Sequence, residues 1–289
     1  MANYSMTINE NQMSILIDAY KAFEKETSNQ YIAFSAYKDG ITIHAYKSGK
    51  MVIQGDYQNE LPRIKHLLGV KQYAAIGSDE VGTGDLFGPV IVCSAFVSLE
   101  DISFLESLGV KDSKAMTDAQ ISKIGPVLAN RLIHSILILN PEKYNGLIRK
   151  GYNMNKIKAY LHNQGIIKTS EKLSEKVPVI LDQFCEPTIY FNYLKTEKLI
   201  YRDIDFYTKA ESVHIAVAAA SIIARYAFLA KMQQYSKFVG YNLLKGAGSE
   251  VDKQLIEIYR ARGYKGLVPI TKLNFKNLIK NNIEIPKKS

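Results

Sequence analysis

Apolar and polar positions follow helical spacing at the start of the chain and then alternate. Residues 11–23 place Met13, Leu16 and Tyr20 near helical spacing. Three segments with the alternation of strands follow, separated by Asp-Gly and Ser-Gly turns: 31–37, 41–46 and 51–54. A second helix is predicted over 60–68. The pattern predicts a small α+β domain over residues 1–68.

The predicted strands of this domain have two different faces. One is apolar and is expected to form the core: Ile32, Phe34, Ile41 and Ile43. The other is aromatic and polar, with Lys47 and Lys50 near the turns: Tyr31, Tyr37, Thr42, His44 and Tyr46. Tyrosines interleaved with His and Lys can stack on bases or sugars and meet phosphates, so Tyr31, Tyr37 and Tyr46 are candidate nucleic-acid contacts. The alternative is a half-exposed sheet face that carries Tyr and Thr on strand propensity alone.

Residues 71–289 mix strands with longer helices, which predicts an α/β domain that begins after Gly69. The predicted strands are 72–78, 90–97, 132–139 and 177–181. The predicted helices are 119–130, most of 141–173, 211–235, 251–262 and 271–281. The longest apolar run, 214–223, is stopped by Arg225 and is too short to span a membrane. With no signal peptide visible at the start, we expect a soluble, cytoplasmic protein with no membrane partner.

Charge changes this picture by pointing to a polyanionic partner. The formal net charge is +9, from 37 basic and 28 acidic side chains. The first 70 residues hold seven of each, so the whole excess lies in the second part. Nucleic acid is the first candidate, although many proteins are simply basic. Two cysteines exclude a disulfide framework and fit a reducing compartment.

Candidate chemistry concentrates in the stretch Ala75–Pro89. Adjacent carboxylates, Asp79 and Glu80, end a predicted strand and are followed by a glycine-rich loop and a second strand. A dinucleotide fingerprint would open a helix instead, so this loop is not one. Gly82 and Gly84 can let the backbone approach a ligand closely, or can serve only a tight turn that needs positive φ.

Two further carboxylates complete the candidate set. Asp182 follows the buried strand 177–181, where an ordinary cap is the alternative reading. Glu211 opens a predicted long helix, where it could serve only the helix dipole. The histidines show no zinc-protease spacing and two cysteines cannot build a cysteine-rich zinc site. Clustered carboxylates suit hard cations such as Mg²⁺ or Mn²⁺.

Four separated blocks together resemble the type 2 ribonucleases H and, within them, the ribonuclease HIII subfamily. The blocks occur in the family's order: Asp79 to Pro89, Asp112-Ser113-Lys114, Leu181 to Phe184, and Ala210-Glu211 leading into 218–225. Thr83 stands where ribonuclease HII has Arg, and Glu211 stands where it has Asp. Both departures resemble ribonuclease HIII and argue against cleavage at single ribonucleotides. The N-terminal part resembles the subfamily's extra domain, which is similar to the TATA-box-binding-protein fold.

The resemblance implies an RNase H-like catalytic domain over 71–289 in which Asp79, Glu80, Asp182 and Glu211 converge as catalytic, metal-binding residues. It implies Mg²⁺ or Mn²⁺ as cofactor and hydrolysis of the RNA strand of RNA/DNA hybrids, leaving 5′-phosphate and 3′-hydroxyl ends. We expect a monomer. The alternative is a non-catalytic nucleic-acid-binding protein, which would not need acidic residues at several strand ends.

Further residues of the catalytic domain are candidate contacts with the substrate. The glycine loop and the Asp-Ser-Lys block supply candidate contacts: Gly82, Thr83, Gly84, Ser113 and Lys114. Lys245, in Lys245-Gly246-Ala247-Gly248 before a helix capped by Ser249, is a candidate phosphate contact. Four lysines of the last two helices form a candidate track for the nucleic-acid backbone, or an ordinary solvated face: Lys265, Lys272, Lys276 and Lys280.

Overall fold

A computed structural model describes residues 3–57, 60–69, 72–110 and 113–284 of the chain. The chain divides into two compact units, Met1–Tyr73 and Ala74–Ser289. The division falls just after the predicted boundary, and Lys71 lies outside the described residues.

The N-terminal unit packs two helices on one face of an antiparallel sheet. Its elements are β1 (Asn3–Thr7), α1 (Glu10–Tyr20), a 3₁₀ turn (Lys21–Phe23), β2 (Ile32–Lys38), β3 (Ile41–Tyr46), β4 (Lys50–Gln54) and α2 (Glu60–Leu67). The strand order is β1-β4-β3-β2. A capping box between Asn9 and Gln12 starts α1. Strand β1 was not predicted, because this edge strand carries mostly polar residues and is recognisable only from its pairing with β4.

The core of this unit confirms the predicted apolar face with one exception. Phe34, Ile41 and Ile43 are buried in one cluster with Leu16 and Ile64 from the helices. The prediction for Ile32 is wrong. The register of β2 shifts so that Ile32 pairs with Tyr46 while Phe34 pairs with Ala45. This bulge moves Ile32 onto the open face, because each residue inserted into a strand reverses the side-chain alternation.

The C-terminal unit is a five-stranded mixed sheet with helices around it. Its strands are β5 (Ala75–Val81), β6 (Val90–Val97), β7 (His134–Leu139), β8 (Val179–Asp182) and β9 (Asp205–Tyr207). The order is β7-β6-β5-β8-β9; the first three are antiparallel and β5, β8 and β9 are parallel. Its helices are α3 (Leu99–Ser107), α4 (Asp118–Arg131), α5 (Pro141–Arg149), α6 (Met154–Ser170), α7 (Pro187–Leu194), α8 (Ala210–Val213), α9 (Ile215–Val239), α10 (Ser249–Leu267) and α11 (Lys276–Lys280). The predicted α/β architecture is confirmed.

Several predicted boundaries in this unit are wrong. Strand β5 begins and ends later than predicted, so Asp79 and Glu80 lie within it, opposite Cys93 and Val92 of β6. The predicted helix 211–235 is two helices, because His214 adopts an extended conformation between them. Helices α3 and α7 and strand β9 were not predicted. Strand β9 has three residues, too few to show a period.

Helix α9 packs against the middle of the sheet through a stripe of small residues. A Cβ atom on Gly77 of β5 would lie 2.1 Å from the carbonyl carbon of Ala216, so only glycine permits this approach. Among the described residues, α9 is the only helix that is long and apolar enough to span a membrane. The apolar run that the sequence shows, 214–223, covers only its first part and is too short to do so. However, 61% of the apolar window of α9 is buried in the unit, as in a core helix. Arg225, in this helix, donates to the carbonyls of Ser113 and Met116.

Candidate active site

The topology of the sheet brings the four predicted carboxylates together. Strands β5 and β8 are parallel neighbours with Ser78 beside Leu181, so Asp79 and Asp182 both follow this paired position. The Asp182 Oδ1 atom accepts a hydrogen bond of 2.7 Å from the backbone N–H of Ala210. This bond holds the short helix α8, and Glu211 with it, against the end of β8. The left-handed conformation of Lys209, with φ of 57°, makes the sharp entry into α8.

The electrostatics of this cluster show how closely its charges approach. Burial raises the pKa of Asp79, and the neighbouring Glu80 and Asp182 charges raise it further, although Ser221 and the Glu80 N–H oppose them by hydrogen bonding. The pKa of Asp182 is raised by burial first and then by Glu211 and Glu80. Negative charge is therefore concentrated at one edge of the sheet, where a cation would relieve the repulsion.

Glu80 has a different environment from its neighbours. Its Oε2 atom lies 2.8 Å from Nε2 of His162, and its Oε1 atom forms an ion pair with Lys158. Burial favours the neutral acid, but His162 and Lys158 more than offset it and hold the pKa of Glu80 below its usual range. Sequence reasoning missed both partners. The only available signal was their spacing of four residues on one helix, which places them on the same face.

Glu211 is buried, with 6% of its surface exposed, and forms an ion pair with Lys114. This pair raises the pKa of Lys114. The Asp-Ser-Lys block therefore approaches the carboxylates through its lysine, whereas Ser113 is buried and offers no exposed group. Asp112 lies outside the described residues.

The chemistry of the four side chains suits a divalent cation. All four side chains offer carboxylate oxygens, which hard cations prefer. In the described part of the chain, no three acidic, histidine or cysteine groups are close enough to hold one ion in their present rotamers. The reason is visible in the contacts: Glu80 is turned onto Lys158 and His162, and Glu211 onto Lys114. Binding would require Lys158 to leave Glu80 and Lys114 to leave Glu211.

The glycine-rich loop after β5 is fastened to the C-terminal segment. Gly82 has φ of +88° and a Cβ there would lie 2.1 Å from the carbonyl oxygen of Pro89, so this glycine is required by the turn. It is buried, whereas Thr83 is half-buried and Gly84 is exposed. Of the three predicted contacts in the loop, only Thr83 and Gly84 face solvent. The buried ammonium of Lys272 donates to the carbonyls of Asp85 and Gly88, both at 2.7 Å.

Several predicted phosphate contacts are wrong or altered. Lys272 is fully buried and cannot belong to an exposed track, and Lys280 binds Asp252. Lys245 is half-exposed but forms an ion pair with Asp118. The N–H of Gly246 donates to Asp85 and is not available to a phosphate. Helix α10 is preceded by Gly248 without a side-chain cap, because Ser249 is already its first residue.

Two of the three predicted aromatic groups, Tyr37 and Tyr46, lie on the open face of the N-terminal sheet. Tyr37 and Tyr31 are 52% and 67% exposed, and Tyr46 is half-buried. The Lys25 ammonium lies 5.6 Å from the centre of the Tyr37 ring. The pKa of His44, next to them, is lowered by burial and by the charge of Lys25. Tyr31 precedes the bulge, so it does not share the alternation of Tyr37.

Comparison with known proteins shows to which family a chain with this fold and site belongs. The family model described as ribonuclease HII matches residues 76–278, and a model described as a domain of unknown function, DUF3378, matches residues 3–61. Ribonuclease HIII of Phytoplasma mali (strain AT) is 50% identical over 287 residues, covering 98% of this chain and all of the relative. The chain belongs to the ribonuclease HIII family. Solved structures of ribonuclease HIII have the same fold. Bst-RNase HIII in complex with Mn²⁺ matches this chain with a TM-score of 0.71 and 36% identity, and the match covers 97% of this chain and 98% of that one. The RNase H3 of Aquifex aeolicus matches with a TM-score of 0.62 at 27% identity, over 94% of this chain and 99% of its own.

Membership of the ribonuclease HIII family confirms the predicted activity class. The protein is an endoribonuclease of the ribonuclease H type, and its fold is an RNase H-like domain with a small additional N-terminal domain. The predicted resemblance is therefore confirmed. The roles of individual residues stay predictions, which the contacts above make specific.

Proposed function

We propose that this protein hydrolyses the RNA strand of RNA/DNA hybrids with the help of Mg²⁺ or Mn²⁺, leaving 5′-phosphate and 3′-hydroxyl ends. The observation that carries the proposal is the convergence of Asp79, Glu80, Asp182 and Glu211 at one edge of the sheet. A purely structural cluster of this kind would be costly, since like charges that share a buried site destabilise the fold unless a cation or a proton joins them.

The four carboxylates would hold the metal. The chemistry that bound divalent ions supply is a lowered pKa of the attacking water and stabilisation of the leaving 3′ oxygen. Asp79 and Asp182 are fixed by backbone N–H groups, so they present their remaining oxygens in a set direction. Glu211 would join the ligands of the metal once Lys114 had turned away from it. Lys114 is 68% exposed, so its ammonium can then contact a substrate phosphate.

Thr83 and Gly84 are proposed to recognise the RNA strand. Gly84 has open space where a Cβ would lie, so a sugar can approach its backbone. Backbone and hydroxyl groups at this distance can contact 2′-hydroxyls, which distinguish RNA from DNA. No arginine stands in this loop, and we propose that continuous RNA tracts are preferred over single embedded ribonucleotides.

The N-terminal domain is proposed to bind the same hybrid through Tyr37 and Tyr46 on its open face. Lys25 adds one positive charge beside Tyr37. This surface makes its contribution through ring and sugar contacts rather than bulk charge, because the domain has no net charge. Tyr31, although exposed, is a weaker candidate because of its place before the bulge. We also propose that the protein acts as a cytoplasmic monomer.

A cleavage assay with matched variants tests the proposal. A hybrid labelled in its RNA strand is incubated with wild type, Asp182→Asn and Asp203→Asn, with and without a chelator. Asp203 is a partly exposed carboxylate outside the cluster and serves as the control. We expect cleavage by wild type and Asp203→Asn, loss with chelator, and loss in Asp182→Asn. The RNA products should be extended by a DNA polymerase, since extension needs a 3′-hydroxyl.

Two results would contradict the proposal. Cleavage by Asp182→Asn at the wild-type rate in saturating Mg²⁺ would remove Asp182 from the site. Tight hybrid binding by wild type without any metal-dependent cleavage would favour the alternative, a non-catalytic binding protein.

A further inference from the structure

Helix α6 binds both oxygens of one predicted metal ligand. Lys158 pairs with Oε1 of Glu80, and His162 lies 2.8 Å from Oε2. Lys158 is 7% exposed and His162 is fully buried. A lysine is rarely buried unless it is paired, so the ammonium of Lys158 is held there by the carboxylate. Neither residue belongs to the four carboxylates of the proposed metal site.

The two partners of Glu80 are held very differently. The His162 ring is fixed on its other side, where Nδ1 lies 2.8 Å from the Ser78 hydroxyl, which in turn contacts Ser94 at 2.8 Å. The ring also stacks on Phe184, with 5.5 Å between centroids. With the hydrogen on Nε2, it donates to Glu80 and accepts from Ser78. Contacts on both ring nitrogens and on one ring face therefore fix the orientation of His162, which keeps Oε2 of Glu80 in one place.

Lys158 has more freedom. Its ammonium lies 4.0 Å from the centre of the Phe184 ring, which attracts a cation whether or not a carboxylate is present. Its flexible stem allows the ammonium to leave Oε1 and remain over the ring. Of the two oxygens of Glu80, Oε1 is thus the one that can be vacated.

We propose that Lys158 is a positioning residue that occupies Oε1 of Glu80 as a placeholder for a divalent cation, while His162 holds Oε2. This inference rests on the proposed metal site. Without metal, Lys158 neutralises Glu80 and limits its repulsion of Asp79. When an ion binds, its double charge outcompetes the single charge of the ammonium. The presence of Lys158 therefore weakens metal affinity but preserves the arrangement of the empty carboxylates.

Titration calorimetry of the full chain with MnCl₂, without substrate, tests this role. We compare wild type with Lys158→Met and Lys158→Gln, which are neutral, and with Lys158→Arg, which keeps the charge. Lys168→Met is the control, because exposed Lys168 lies ten residues further along α6, ~15 Å away. We expect Mn²⁺ to bind about tenfold more tightly to the neutral Lys158 variants, because a positive charge beside the ion is removed. Lys158→Arg and Lys168→Met should resemble wild type.

Thermal unfolding with and without Mn²⁺ separates this role from a structural one. Both neutral variants should have a lower Tm than wild type in chelator, and saturating Mn²⁺ should remove most of that difference. Lys158→Gln can still donate a hydrogen bond to Glu80, so it provides a folded variant if the methionine side chain is not tolerated.

The outcomes distinguish this inference from the proposed function. Unchanged or weaker Mn²⁺ affinity in the neutral variants, with an equal loss of Tm in both conditions, overturns the placeholder role and leaves the metal site standing. If wild type binds no Mn²⁺, the proposed metal site fails, and the placeholder role fails with it.

Discussion

Lys272 should make the stability of the catalytic unit depend on pH. It is fully buried and its ammonium donates to the carbonyls of Asp85 and Gly88 in the glycine-rich loop. Burial lowers the pKa of Lys272 to about 7, although the charge of Asp85 acts in the opposite direction. The two hydrogen bonds favour the charged form as well, so burial and hydrogen bonding compete at this position.

The sign follows from the two pKa values. In the unfolded chain the lysine keeps its proton up to a pH of ~10.4. Between that pH and about 7, the unfolded state holds a proton that the folded state has lost. The free energy of unfolding therefore rises with pH through this window, by at most ~1.4 kcal/mol per pH unit. Between pH 7 and pH 9 the rise amounts to roughly 2 kcal/mol.

Urea unfolding measures this rise. Wild type and Lys272→Met are unfolded at pH 7, 8 and 9 in the presence of chelator, and unfolding is followed by circular dichroism. The other titrating groups are common to both proteins and cancel in the difference. We expect wild type to gain roughly 2 kcal/mol over the variant between pH 7 and pH 9. Lys276→Met, which removes an exposed lysine of α11, should show no such trend. A constant difference between wild type and Lys272→Met would refute the reasoning, because it would mean that the carbonyls hold the ammonium charged throughout.

Three further predictions concern the site and the substrate. Asp79→Asn should abolish cleavage and raise the Tm measured in chelator, because burial and the neighbouring carboxylates already disfavour the charge of Asp79; a lower Tm would contradict this. A continuous RNA tract should be cut far faster than one ribonucleotide embedded in DNA, and equal rates would show that Thr83 does not restrict the substrate. The double variant Tyr37→Ala with Tyr46→Ala should raise KM, because each lost stacking contact weakens the free energy of hybrid binding by roughly 1–3 kcal/mol. The kcat and the salt dependence of binding should stay unchanged; an unchanged KM would exclude this face from binding.

Local sequence determined the parts of this protein that depend on neighbours in the chain. Alternation located β3 at its observed bounds, because a strand with one buried face repeats every two residues. A continuous apolar run located β6, which is buried on both faces. Glycines and a proline placed the loop between β5 and β6, since Gly82 must adopt positive φ there. The order of the acidic blocks indicated the family and its chemistry. None of these inferences required knowledge of which side chains meet across the fold.

Tertiary structure decided what depends on the packing of distant elements. The partners of Glu80 come from α6, some 80 positions along the chain, and only the rotation of that helix against the sheet selects Lys158 and His162. As a lysine, Lys272 was expected to contact phosphate at the surface. It is buried instead, and its ammonium donates to the carbonyl of Asp85 in the glycine-rich loop. Sequence periodicity shows which face of an element is apolar, but it does not show which polar group lies opposite a buried charge. A charge that is buried without a partner carries a desolvation cost, and this cost determines the pairing. The cost arises only when the elements pack against each other.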